Sequence, residues 1–112
     1  SGLVPGPFVA LGFLPRANGP RRVLLGRAGG TGLPLVLFEA PGRAAATVRE
    51  LLAALGDRPA VLARELTKLH EEVWSGTLAS LAERLEAAPP KGEIVLVVGG
   101  ADGNADAAED PA

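Results

Sequence analysis

Along this chain the apolar positions change rhythm several times, and each change marks an element. Phe8 to Leu14 is rich in aromatic and apolar side chains, and Pro15, which cannot donate to a ladder, closes it as a strand. Leu33 to Glu39 is apolar until its last residue, the pattern of a strand covered on both faces. Between the two, a short helix is predicted around Pro20 to Ala28, with Pro in its first turn and Gly26, Gly29 and Gly30 weakening it. From Arg43 to Leu55 the rhythm is helical, with Ala44, Val48, Leu51, Leu52 and Leu55 on one side and Gly56 placed to end it. Ala60 to Ala63 returns to a strand, completing a βαβ unit.

That third strand turns polar at Arg64 and Glu65, which predicts its end there. Open α/β sheets hold ligands beyond their strand ends, so this is the first place to look for function. Lys68 to Trp74 reads as an extended segment, open between a strand and an irregular loop, with Val73 and Trp74 partly buried. Thr77 is positioned to cap a helix carrying Leu78, Leu81 and Leu85, which Pro89 and Pro90 stop, and Ile94 to Val98 is the last strand. The expected fold is α/β, a sandwich of three-layer type whose mixed, roughly five-stranded sheet is flanked by helices. Residues 1–7 read as a connector and 8–100 as the domain. Residues 101–112 are acidic, without a large apolar side chain, and read as a disordered tail.

Composition narrows the function classes. The chain has 112 residues, enough for one domain with a core, and no Cys, which excludes disulfides, thiolate metal sites and a Cys nucleophile. No apolar run approaches the roughly 20 residues that cross a bilayer, and a cytoplasmic, membrane-free protein is expected. Met is absent throughout, including at the start, so a piece of a longer protein is expected. The net charge is −2, yet four of the thirteen acids, Asp102, Asp106, Glu109 and Asp110, lie in the tail, leaving eleven bases against nine acids in the rest. Arg16, Arg21, Arg22 and Arg27 fall in a stretch with no acid before Glu39, which makes one end basic.

The common nucleotide and hydrolase motifs are missing: no GxGxxG opens a helix after a strand, and there is no GxxxxGK[ST], no GxSxG and no pair of His for a metal. Gly26 to Gly32 is Gly-rich but lacks the Lys a phosphate loop needs. His70, the sole His, reads as an exposed residue of the extended segment in preference to a general base. No catalytic residue is identified.

Four blocks carry a resemblance: GFLPR at Gly12 to Arg16, FEAPGR at Phe38 to Arg43, ARELTKLHEEVWSGTL at Ala63 to Leu78, and KGEIVLVVGG at Lys91 to Gly100. In this order they resemble the C-terminal half of the ribosomal RNA small-subunit methyltransferase I family, within the tetrapyrrole methylase superfamily. The resemblance implies an S-adenosylmethionine-dependent enzyme that methylates a cytidine ribose 2′-hydroxyl in small-subunit ribosomal RNA. It also implies a homodimer, and a missing N-terminal domain without which this piece is inactive. Thr67, Glu71 and Gly76-Thr77-Leu78 match the spacing of the family's second motif.

Residue by residue, the resemblance implies that Glu39, where the superfamily usually has Met, and Ala40 touch the donor after the second strand, and that Leu66 and Thr67 touch it after the third. The same residues also read as a solvated strand end, for Glu39, and as core, for Leu66. Arg16, Arg21, Arg22, Arg27 and Lys68 are the candidate contacts to RNA phosphates, and equally a solvated surface. Arg64, Glu65 and Lys68 either pair with one another or line the cleft. Three of the four aromatics, Phe8, Phe13, Phe38 and Trp74, fall in predicted strands and are expected in the core, so base stacking is not expected. Gly42 stands where the family commonly has His, a departure in substrate placement. Two other functions stay open: a C-methyltransferase of a corrin or porphyrin precursor, and a dimerisation module without catalysis of its own.

Overall fold

The computed structural model describes residues 6–67, 70–88 and 91–100, with the backbone alone for 65–67. The tail expected at 101–112, most of the connector, Pro89, Pro90 and Lys68 lie outside the described residues. The elements follow as β1 (Val9–Phe13), α1 (Asn18–Gly30), β2 (Leu35–Glu39), α2 (Ala44–Leu55), β3 (Pro59–Thr67), β4 (His70–Thr77), α3 (Leu78–Ala87) and β5 (Ile94–Val98). A 3₁₀ turn, Pro41–Arg43, leads into α2. The sheet is mixed and five-stranded, ordered β1-β2-β5-β3-β4. β1 and β2 are parallel, whereas β5 lies between β2 and β3 antiparallel to both, and β3 and β4 form an antiparallel pair.

Strand alternation gives this sheet two unlike faces. One carries Leu37, Leu96, Leu62 and Trp74 in a single cross-strand row, all buried, with Leu35, Val98 and Ala60 in the next. Leu25 and Ala28 of α1, Val48 and Leu51 of α2, and Leu78, Leu81 and Leu85 of α3 belong to the same core cluster. All three helices therefore cover one face, and each fully buried Leu contributes about 1.5–3 kcal/mol. The flanking helices are present as expected, but the described residues supply one helical layer where a three-layer pattern has two. The uncovered face keeps an apolar row of its own, Phe13, Phe38, Val95, Ala63 and Val73, across all five strands.

Local chemistry explains most boundaries. Gly56, at φ 86°, ends α2 where the sequence places it, and Thr77 and Ser80 cap the start of α3 reciprocally. Helix α1 is longer than predicted and runs through Gly26 and Gly29, because packing overrides propensity. At Gly29 an added Cβ would sit 2.5 Å from Leu55 Cδ2, so the glycine permits the approach of α1 to the end of α2. β3 continues past the predicted end at Ala63, because β4 pairs with it as far as Thr67. The ambiguous segment from 70 to 74 is thus a strand. In β1 the register shifts between Ala10 and Gly12, with Gly12 at φ 64°, and this bulge sets Phe13 opposite Phe38.

Candidate functional site

Register gathers the charged end of the sheet into one row: Glu39, Ile94, Arg64 and Glu72 are successive cross-strand partners on the covered face. β2 and β3 both run toward this row, with the antiparallel β5 between them. Glu39–Ala40 and Leu66–Thr67, far apart in sequence, therefore leave the same end of the sheet, two strand spacings or roughly 10 Å apart. Thr67 lies opposite His70, which is exposed at the start of β4. The side chains of Leu66 and Thr67 are outside the description.

Glu39 is neither a solvated strand end nor a carboxylate presented outward, because it is buried at 6% exposure. The Ala40 amide donates to its Oε1 at 2.8 Å, and the Thr47 hydroxyl donates to its Oε2 at 2.6 Å. Behind Thr47 stands Arg21, whose Nη2 donates to the Thr47 Oγ1 at 2.9 Å and lies 4.0 Å from Glu39 Oε2. Arg21 also donates from Nε to Glu50 at 2.5 Å and from Nη1 to the Pro15 carbonyl at 3.2 Å. One guanidinium thus ties together the β1–α1 connection, α2 and the end of β2. The Ala40 carbonyl accepts from the Arg43 amide at 3.0 Å, so both Ala40 backbone groups have partners within the turn.

Arg21 is the clearest correction to the sequence reading. As a candidate RNA contact it belongs on the surface, yet it is 4% exposed and its donors face inward. The signal was present in the spacing: Arg21, Leu25 and Ala28 share one helical stripe, and all three are buried. Thr47 was missed for the same reason. It sits among Ala44, Val48 and Leu51 on the buried stripe of α2, and a hydroxyl there needs a partner. Glu50 was missed too. Arg16, Arg22 and Arg27 are exposed, and Arg22 lines an open groove of about 390 Å³ between α1 and α2. Gly26 to Gly30 are helical and form no phosphate-cradling loop. Gly42 is exposed, with open space where a side chain would stand.

A second cluster occupies the β3–β4 side of the row. Arg64 donates from Nε to Glu72 Oε1 at 2.6 Å, and this pairing holds the Glu72 carboxyl below the usual carboxylate range. The guanidinium carbons of Arg84 and Arg64 lie 3.8 and 5.2 Å from the centre of the Trp74 ring. Val73 and Trp74, both expected to be partly buried, divide: Trp74 is core at 4% exposure, and Val73 is exposed. The phenylalanines are not core: Phe8, Phe13 and Phe38 are all exposed.

Sequence comparison places this geometry among known proteins. The family model for tetrapyrrole (corrin/porphyrin) methylases matches residues 4–82, more than half of the chain. A protein of Streptococcus pyogenes serotype M1 named ribosomal RNA small subunit methyltransferase I is 40% identical over 106 residues, covering 95% of this chain and 37% of its own length. Relatives of the same name are 44% identical over 108 residues in Mesorhizobium japonicum, and 38% identical over 100 residues in Thermotoga maritima. The chain spans 37% of the Mesorhizobium relative and 45% of the Thermotoga one. A family match over most of the chain, with relatives near 40% identity along nine tenths of it, means that this chain belongs to the tetrapyrrole (corrin/porphyrin) methylase family.

Proposed function

We propose that this chain forms one wall of the donor cleft of an S-adenosylmethionine-dependent methyltransferase acting on a cytidine ribose 2′-hydroxyl of small-subunit ribosomal RNA. The observation that carries the reading is the convergence of the β2 and β3 ends at one edge of the sheet, where α/β sheets hold ligands. The names of the relatives favour RNA as the acceptor.

The residues present fit the uncharged adenosine part of such a donor. At the β2 end, Glu39 directs its carboxylate inward, and half-buried Ala40 and Pro41 leave a small apolar turn beside exposed Gly42. Ala40, Leu66 and Thr67 would hold the donor there, while Glu39 holds the turn through the Ala40 amide. When bound, the donor supplies a methyl group on a sulfonium. The work of the protein is then to keep the acceptor hydroxyl in line with that methyl and to exclude water. Arg16, Arg22, Arg27 and Lys68 bind RNA phosphates in this reading. The whole enzyme is a cytoplasmic homodimer, and this chain alone is inactive.

A chimera tests the proposal. This chain replaces the matching stretch of the Thermotoga maritima relative, and transfer of labelled methyl groups to isolated small ribosomal subunits is measured. Transfer by the chimera, with none by the chain alone, is expected. A folded chimera that methylates a porphyrin precursor and not the subunits would move the assignment to tetrapyrrole C-methylation.

A further inference from the structure

Helix α3 follows β4 without a loop and runs back along it, so its last turn returns Arg84 to the end of the sheet that carries the row from Glu39 to Glu72. There the Arg84 guanidinium stands 3.8 Å above the centre of the Trp74 ring, and Arg64 reaches the same ring at 5.2 Å. The two arginines are committed to different degrees. Arg64 spends Nε and Nη2 on Glu72 Oε1, at 2.6 Å each. Arg84 is exposed, and among the described residues it has the ring but no carboxylate and no hydrogen-bond acceptor for its side chain. Its neighbours in sequence are engaged elsewhere, since Glu86 pairs with Arg49, and Glu71 alternates to the other face of β4. The Trp74 Nε1, buried and facing the Glu72 carboxyl, is also without a hydrogen bond.

We infer that Arg84 and Arg64, set in place by the Trp74 ring, form an oxyanion site that takes a backbone phosphate of the acceptor RNA. A guanidinium held over an indole is fixed in direction, while its edge, a fork of N–H donors, stays open to an oxyanion. Two guanidiniums against the single carboxylate of Glu72 leave the cluster positive, and it stands at the rim, where a large polyanion can reach it. A phosphodiester carries one charge on two free oxygens, which suits one open guanidinium beside a second that Glu72 already shares. The cluster lies on the β3–β4 side of the sheet end, beside the proposed donor wall between β2 and β3. S-adenosylmethionine has no phosphate, so the ligand here belongs to the acceptor. The choice of RNA as the source of the phosphate rests on the proposed function; the oxyanion site does not.

Trp74 is the sole Trp of the chain, so its fluorescence reports this site directly. Emission is followed as inorganic phosphate, and separately a cytidine-containing 12-mer RNA, is added at constant ionic strength, with chloride and acetate as controls. No donor is present, so a failure of donor binding leaves the result standing. A saturable change with phosphate and with RNA, and none with chloride or acetate, is expected. Arg84→Gln keeps a planar amide over the ring but removes the charge, and weakens both ligands by on the order of tenfold. In a salt series the same variant lowers the slope for RNA by about 0.7, the share of one phosphate. Glu72→Gln removes the competing carboxylate and frees Arg64, and tightens both ligands, an effect that a purely structural stack does not produce. Urea unfolding shows that both variants are folded. A signal that follows ionic strength alone, or that Arg84→Gln leaves unchanged, overturns the inference. Saturation by phosphate but not by RNA overturns RNA as the source, and saturation by acetate in preference to phosphate overturns phosphate as the ligand and assigns the site to a carboxylate.

Discussion

Glu39 and Arg64 flank buried Ile94 in one cross-strand row, yet the arginines that serve the two sides behave in opposite ways. At Glu39, Arg21 comes from a helix, is 4% exposed, and donates to two side chains and a carbonyl. On the other side, Arg64 meets Glu72 directly across the strand pair, and the Glu72 side chain is 37% exposed. The first arrangement is a scaffold that fixes the turn after β2. The second is a surface pair steadied by the Trp74 ring. Burial, not residue type, decides what an arginine does here.

The comparison breaks most sharply at Arg21. Arg21→Met leaves the Glu39 carboxylate buried beside a neutral side chain, and should cost about 3–5 kcal/mol in urea unfolding. That is a large share of the roughly 5–15 kcal/mol a domain has. If Arg21 instead worked on the surface, the midpoint would hardly move. Thr47→Val comes next, because it removes the hydroxyl that joins Arg21 to Glu39 and leaves a buried donor and acceptor short of partners. About 1–3 kcal/mol is expected, with little change in the denaturant slope.

Arg64→Met should do much less to stability, and its effect should depend on pH. The hydrogen bond from Arg64 lowers the Glu72 pKa from 4.5, so the pairing stabilises the fold above about pH 4.5 and is lost as pH falls through the lowered value. Glu72→Gln should therefore flatten the acid limb of the stability profile, and equal flattening by a distant substitution would contradict the assignment. The smallest effect belongs to Arg49 and Glu86, which bridge α2 and α3 at 2.8 and 2.9 Å with both side chains about half exposed. The Glu86 pKa is also lowered by its hydrogen bond from Arg49, so the sign is the same as for Glu72. Arg49→Gln should leave thermal unfolding nearly unchanged in moderate salt.

Much of this architecture was legible in the chain, and the exceptions share a cause. Helical spacing located α2 and α3, and continuous apolar runs located β2 and β5, although among the described residues β2 is covered on one face where its run predicted two, and Phe38 is exposed. Periodicity stopped β3 at Ala63, since a polar run looks like a strand end when the partner strand that satisfies it is not visible. It set the phenylalanines in the core, since an apolar strand residue does not declare which face helices will cover. Arg21 was read by charge rather than by its place on the Arg21, Leu25, Ala28 stripe. The resemblance led to Glu39 and Ala40, but could not show that the Glu39 side chain turns inward and that the turn is what remains outside.

The most direct test of the donor wall is an amide-resolved NMR titration of this chain with S-adenosylmethionine, run beside a porphyrin control. Shifts concentrated on the amides of Glu39, Ala40, Leu66 and Thr67, with none from the porphyrin, are the predicted result. Shifts that avoid both strand ends, or no shifts at millimolar donor, would contradict the claim that these ends form the wall.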